Sequence, residues 1–455
     1  MDFKTTLATL TAAAVSFATL AQEQASEPQR LRLGADVRLR QEVWDDIPIP
    51  TETPNVTRGG YCNTLRLRTR VFGAYDLTET ATLNVRLAHM FYETSAGPES
   101  FKWPDELSLD NLNIAFKDFT GEGSRLVLGR QDIMLGSGRL VFEGTPLDAS
   151  RTTFFDGVFL HQPLGETLSA DLFAVYDKDE DPLAVGNEHR QLRGYSPSVD
   201  GRDEAGVGAF LNGTLLDDSL TGSLYYVWKH ETSARKADGT AVPNADIHTV
   251  GVLLRPKFSD ALSGEFEYAR QFDPADDDGI DATLAYAGLF LDIEECKIPS
   301  SANGSIALFP KTKIGLDCLY LSGDDPDTAR NEAFNPIFSR YPFLSELMIY
   351  CYDTEGAGNW NNLIHPRATA LAKMGGHSLS LSAGPVFAEE RNGAGGGRRR
   401  GDLYMAQWGF PLFKGKEGGF GRTDGHLRCE IFDPGDYYTS NSTAYYLRWE
   451  ILVRF

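Results

Sequence analysis

Arginine recurs at alternate positions near the start of the chain. Residues 31–43, LRLGADVRLRQEV, place Arg38 and Arg40 on one face with Asp36 and Glu42. Residues 64–75, TLRLRTRVFGAY, add Arg66, Arg68 and Arg70, and residues 81–92, ATLNVRLAHMFY, add Arg86. The end of the chain supplies Arg428, Arg448 and Glu450 in the same alternating manner. A guanidinium is a planar fork of donors that suits carboxylates and phosphates. A ring of such groups around a wet pore favours anions. The same residues could instead form a ladder of inward salt bridges with Asp36, Glu42, Glu430 and Glu450. Both are expected here: some pairs hold the wall together, and an excess of positive charge remains for a solute.

The elements that must position these residues are strands. Alternation is the period of a β-strand, whose side chains point to opposite faces in turn. The final segment, TAYYLRWEILVRF, puts Tyr445, Leu447, Trp449, Ile451, Val453 and Phe455 on one face and Arg448, Glu450 and Arg454 on the other. In a soluble sandwich the apolar face would meet a core; in a membrane barrel it meets lipid. The pattern recurs in 18 segments, the others lying at 31–43, 64–75, 81–92, 107–118, 124–131, 153–162, 167–177, 205–216, 220–231, 246–257, 261–272, 281–291, 311–322, 363–374, 377–389, 402–412 and 424–433. The connections alternate short and long. Short ones include DLTE (76–79), TGEG (120–123), PLGE (163–166), DDS (217–219), FSD (258–260) and GG (375–376). Long ones occupy 44–63, 93–106, 132–152, 178–204, 232–245, 323–362 and 390–401, with 292–310 a long connection on the short side. That parity predicts an all-β fold: a single 18-stranded antiparallel transmembrane β-barrel with short periplasmic turns and long extracellular loops.

Energetics fix the facing. An arginine at the lipid midplane costs about 2–4 kcal/mol. Arg66, Arg68 and Arg70 share a face, so a one-residue slip would put all three in lipid. Their face must therefore be inward. A barrel of this size leaves an aqueous channel, and open edges cannot exist in hydrocarbon, so the first and last strands must pair.

The rest of the sequence narrows the function. Residues 1–21 read as a secretory signal, with Lys4 before a short apolar run, and 22–30 as a short periplasmic segment preceding the barrel at 31–455. A net charge of −21 argues against nucleic acid as a partner. The acids cluster in DKDEDP (177–182), DGRDE (200–204), DPADDDGID (273–281) and GDDPD (323–327), read as solvated loops, since none has the carboxylate spacing of a calcium hand. Of five cysteines, an odd count leaves at least one without an intramolecular partner, and no CxxC occurs, so no metal site is expected. Cys318 and Cys429 fall inside strand patterns and read as small apolar residues. Trp103 and Trp360 lie in loops, where they could stack on sugars but are read as loop packing. No G-x-S-x-G or H-E-x-x-H motif occurs, so neither catalysis nor a cofactor is expected.

Several stretches resemble the alginate export family of outer-membrane proteins. One is GRQDIMLGSGRLVFEGTPLDASRTTFFDGVFL (129–160), similar to that family's Gly-Arg-Gln strand, Arg-Thr and Phe-Asp-Gly strand. Another is KIGLDCLYLSGDDPD (313–327) with FNPIF (334–338), similar to its Ser-Gly-Asp strand end and Phe-x-Pro loop. The terminal aromatic Phe455 resembles the signal read by the barrel assembly machinery. The resemblance implies an 18-stranded barrel with an electropositive pore for a polyuronate, and by motif it assigns Arg130, Arg151 and Asp156 to the pore lining. The turn that forms a plug in that family matches FKGKEGGFGRT (413–423), which is short here, so no such plug is expected. The reading is thus a passive outer-membrane channel for an anionic polysaccharide or oligosaccharide, alginate-like polymer included, embedded in outer-membrane lipid and served by periplasmic export components. The alternatives are a nutrient-uptake porin for small anions or oligosaccharides, and a barrel-borne lipid enzyme.

Overall fold

The computed structural model describes residues 30–48, 60–96, 102–143, 154–178, 183–186, 202–235, 239, 241–275, 279–294, 296–300, 304–339, 344–347, 361–391, 393, 395–413, 415 and 421–455. The signal segment, Arg151 and Trp360 lie outside them, as does the side chain of Trp103.

All 18 alternating segments are strands. They are β1 (Leu31–Asp45), β2 (Cys62–Asp76), β3 (Ala81–Ala96), β4 (Lys102–Lys117), β5 (Arg125–Gln131), β6 (Phe155–Pro163), β7 (Leu168–Asp177), β8 (Glu204–Leu215), β9 (Leu220–Glu231), β10 (Ala245–Pro256), β11 (Leu262–Phe272), β12 (Asp281–Ile293), β13 (Lys311–Leu321), β14 (Leu363–Met374), β15 (His377–Phe387), β16 (Arg399–Phe413), β17 (Thr423–Pro434) and β18 (Ala444–Arg454). Each pairs antiparallel with its neighbours in sequence, and β1 pairs with β18 from Asp36↔Arg454 to Asp45↔Tyr445. The sheet is a closed barrel without an edge. A short segment, Ala184–Gly186, adds to β4 at Leu107 and Ser108, beyond the point where β5 has ended.

Local chemistry sets the turns. Gly375 and Gly376 both have positive φ, the conformation that a two-residue hairpin matching strand twist requires. Asp217 and Asp218 adopt positive φ in the β8–β9 turn. The ladder between β14 and β15 breaks between Ile364↔Phe387 and Ala368↔Ala383. Pro366 and Pro385 sit in that gap and have no N–H to give. His365 Nδ1 donates to the Pro385 carbonyl at 2.9 Å and partly fills it.

Outward positions form an apolar belt. Leu172, Leu211, Leu224, Val250, Leu316, Leu381 and Leu447 are all exposed there. Exposed apolar surface on this scale marks a lipid contact rather than a soluble surface. Tyr176, Tyr226, Tyr268 and Tyr404 stand on the belt toward the long-loop rim, as interfacial aromatics do. At the closing seam Trp449 Nε1 donates to Gln41 Oε1 at 2.9 Å, and Gln41 Nε2 donates to Asn63 Oδ1 at 2.9 Å. The polar groups on that face thereby satisfy one another, as hydrocarbon demands.

The inside departs from the expectation of a uniformly wet lumen. The inward residues of β7–β13 include Phe173, Val175, Phe210, Tyr225, Val227, Ile247, Leu253, Leu284 and Leu319, all buried. Two stretches expected to be solvated extracellular loops fold down onto them. Ile133–Leu135 and Val141–Glu143 form a hairpin inside the barrel, and Phe338–Ser339 adds to it as a parallel strand. Phe338 is fully buried, edge-on to Phe155 at 5.6 Å and to Phe173 at 6.1 Å between ring centres. Burying such a ring stabilises the packing by about 1.5–3 kcal/mol. The physical reason for the departure lies in composition: IML, LVF and FNPIF carry too many apolar residues to stay in water.

Among the described residues no helix is long and apolar enough to cross a membrane, which says nothing of strands. Cys62, Cys318 and Cys429 are free thiols, with Cys318 and Cys429 on the belt face of their strands.

Candidate channel lumen

The arginine wall is built by β17, β18, β1, β2 and β3. The registers bring like charges directly opposite: Arg38 faces Arg68, and Arg40 faces Arg66. Such pairs destabilise a sheet unless acids intervene. Acids do so, some directly opposite an arginine (Arg40↔Glu450, Asp36↔Arg70) and some on the diagonal. Glu450 lies 2.5 Å from Arg40 and 3.7 Å from Arg38. Glu42 lies 2.5 Å from Arg66 and 3.4 Å from Arg40. Asp36 lies 2.6 Å from Arg70 and 3.6 Å from Arg68. Arg86 bridges Asp110 at 2.6 Å and Asp132 at 2.9 Å. The Arg40–Glu450 pair and the hydrogen bond from Tyr446 to Glu42, 2.7 Å, both cross the β1–β18 seam. Barrel closure and the charged wall are therefore one structure.

The wall also anchors a loop. Glu430 on β17 accepts from Glu346 N at 3.1 Å, Leu347 N at 3.0 Å and the Ser345 hydroxyl, while Arg428 Nε reaches it at 2.5 Å. Glu346 in turn receives Arg448 Nη1 at 2.8 Å. Residues 344–347 are thereby pinned to the β17–β18 wall. Opposite them, the 133–143 hairpin is held by polar contacts to the far wall. Arg139 lies 2.7 Å from Glu267 and 2.9 Å from Glu265, and its guanidinium stacks over the Tyr286 ring at 3.6 Å. Burial works against the Arg139 charge, but the two glutamates outweigh it and its pKa is raised. Gln271 exchanges hydrogen bonds with the Asn335 backbone, 2.7 and 2.8 Å, and Lys229 donates to Ile337 O at 2.9 Å. Both walls thus send polar groups into segments that narrow the channel.

The placement of the expected residues is specific. Arg38, Arg40, Arg66, Arg68, Arg70, Arg86, Arg428, Arg448 and Glu450 all lie on the inward face and come together. Arg130 and Asp156 pair with each other at 2.7 Å, but not in the lumen. Their register Arg130↔Asp156 alternates in step with Leu128↔Val158, two exposed belt residues. The inward places at this height belong to Gln131 and Phe155, and Phe155 packs on Phe338. Strand parity sets this pair apart from the inward arginines. Arg130 is covered by the Phe154 ring, 3.5 Å from its guanidinium carbon, and donates to Leu109 O at 2.9 Å.

Sequence reading passed over Glu346, Arg139, Glu267, Lys229 and Arg367. Arg367 pairs with Asp317 on the lumen wall at 2.6 Å. A signal for the inward packing was present in β12, whose inward Leu284, Tyr286 and Phe290 are as apolar as its outward Leu289 and Leu291, which a strand between lipid and water would not be.

No protein-family model matches the chain, and no curated protein does. The resemblance to the alginate export family therefore rests at the level of the architecture it implied. Solved structures of similar fold include Pseudomonas aeruginosa OccD3 (OpdP), with a TM-score of 0.55 at 12% identity over 94% of this chain and 91% of that one. Pseudomonas aeruginosa OpdQ matches with a TM-score of 0.54 at 11% identity, over 94% of this chain and 98% of its own. The Pseudomonas aeruginosa outer membrane protein OpdK matches with a TM-score of 0.52 at 10% identity, over 93% and 99%. The fold is that of an outer-membrane β-barrel, and the lipid-facing belt places the chain in such a membrane as a multi-pass barrel.

Proposed function

We propose that the protein is a passive outer-membrane porin for small anionic solutes, anionic saccharides among them. The observation that carries this reading is the layering of the ion pairs. In five of them the short carboxylate lies against the wall and the longer guanidinium lies over it, whereas Arg38, Arg40, Arg68 and Arg448 are more buried than the acids they meet. Arg66 is 17% exposed against 1% for Glu42, Arg86 is 15% exposed against 0% for Asp110, and Arg428 is 15% exposed against 0% for Glu430. Arg70 over Asp36 and Arg367 over Asp317 are ordered the same way. Although the charges nearly balance, the surface a solute meets is guanidinium. A second acid at Asp132 faces Arg86 and tempers the effect there. Fixed cations at a pore surface attract anions and exclude cations, more strongly at low salt.

A polymer such as alginate is the second reading, favoured by the motif likeness. The inward segments 133–143, 334–339 and 344–347 argue for solutes of monomer to short-oligomer size instead. Purified protein in planar bilayers under a potassium chloride gradient tests the main reading. The reversal potential should report anion preference, reduced when Arg66, Arg70 and Arg428 are changed together to Gln. Cation preference in the unaltered protein would overturn it. Alginate oligomers of graded length should block less well beyond a few units; block that strengthens steadily with length would favour polymer export.

A further inference from the structure

The geometry points to a carbohydrate-binding basin at the periplasmic end of the lumen, with Phe290 as the platform for a sugar ring. This rests on the anion-porin reading for its direction of supply, but the basin itself is argued from its own residues. A cavity of about 510 Å³ opens there between β10–β15, lined by Phe290, Lys313, Asp292, Thr369, Ser380 and the Arg255–Glu265 pair. That volume lies in the range of small-molecule sites, roughly 300–1,000 Å³.

Three features identify the ligand chemistry. The first is the platform. A Cβ at Gly315 would stand 2.6 Å from the Phe290 ring, and one at Gly288 2.8 Å. The ring therefore lies flat on a floor that the two glycines leave bare, and its other face is turned to the cavity. Lys313 Nζ stands 5.4 Å from the ring centre. The second is the pairing of charges. Lys313 lies 3.3 Å from Asp292, and Arg255 lies 2.8 Å from Glu265. A basin of this kind offers adjacent donors and acceptors with little net charge. That pattern matches the hydroxyls of a sugar rather than a bare anion. The third is the hydroxyl track above it. Ser378, Ser380 and Ser382 share the inward face of β15, and the exposed Ser380 lines the cavity.

The basin is joined to the arginine wall by the barrel's own stagger. One row of paired residues runs Arg448↔Arg428↔Gln407↔Ser380↔Leu371↔Lys313↔Asp292. Strands in such a barrel tilt by about 35–45°, so a row perpendicular to them winds down the wall. Arg448 stands well inside β18, whereas Lys313 stands beside the turn-rim start of β13. A solute bearing both carboxylate and hydroxyls thus passes from guanidinium through amide and hydroxyl to the basin.

The test records single-channel current with two probes on the periplasmic side: glucuronate, and cyclohexanecarboxylate, which has the ring and charge without hydroxyls. Glucuronate should interrupt the current, and cyclohexanecarboxylate should not. Phe290→Ala should shorten the glucuronate blocks about tenfold, the worth of one aromatic contact. Ser380→Ala, a wall position that keeps the fold secure, should shorten them severalfold. Equal block by both probes, or blocks unchanged in both variants, would overturn the basin. The reversal potential is read on the same channels. A cation-preferring channel whose glucuronate block still needs Phe290 would refute the porin reading and leave the basin standing.

Discussion

Glu430→Gln should release the segment 344–347 from the β17–β18 wall. The wild-type carboxylate, wholly buried, accepts from two backbone N–H groups, one hydroxyl and one guanidinium. Glutamine keeps one acceptor oxygen and turns an NH2 donor toward partners that are themselves donors. Hydrogen bonds to a charged group are worth about 1.5–3 kcal/mol each, so losing two costs roughly 3–6 kcal/mol. Each 1.4 kcal/mol is about a tenfold change in the docked population, so docking of 344–347 should fall at least a hundredfold. The Glu346–Arg448 contact goes with it. The variant barrel should still close, because its ladder and the β1–β18 seam do not involve this residue. In bilayers the open-channel conductance should rise and the current should become noisier, while anion preference holds because a negative charge has been removed. Glu346→Gln, which loses only the arginine contact, should have a smaller effect. Conductance and noise equal to the unaltered protein in Glu430→Gln would show that this carboxylate does not hold the constriction.

Three further outcomes follow from the same geometry. Glu450→Gln strips the shared partner from Arg38 and Arg40 at the closing seam; removing one partner of a buried ion pair costs about 3–5 kcal/mol, and the folded band on an unheated gel should convert at a clearly lower temperature. Arg130→Gln should leave the reversal potential unchanged, because its side chain is buried under Phe154 and paired with Asp156; a shift toward cations would restore it to the lumen. Leu316→Arg places a charge among exposed belt residues and should cost about 2–4 kcal/mol near the midplane, whereas Ser380→Arg on the lumen face should assemble normally; equal assembly of both would undo the facing of the sheet.

The sequence by itself determined the barrel. Period-two alternation says which face of each strand meets lipid, because a charge in hydrocarbon costs more than any local preference can return. Loop parity determined the two rims, and the need to leave no edge determined that TAYYLRWEILVRF pairs with LRLGADVRLRQEV. The inward arginines were legible for the same reason. Sequence did not say how they would share carboxylates, since the sharing of Glu450 by Arg40 opposite it and Arg38 diagonal to it depends on the stagger at closure. Nor did it say which long loops would turn inward. That was decided when apolar faces of β7–β13, far apart in the chain, met Phe338, Leu135 and Val141 in one interior and excluded water. Arg130 and Asp156 mark the boundary between the two kinds of knowledge. Their pairing follows from adjacent strands, but only the register shows them alternating in step with Leu128 and Val158, and only the packing buries Arg130 under Phe154.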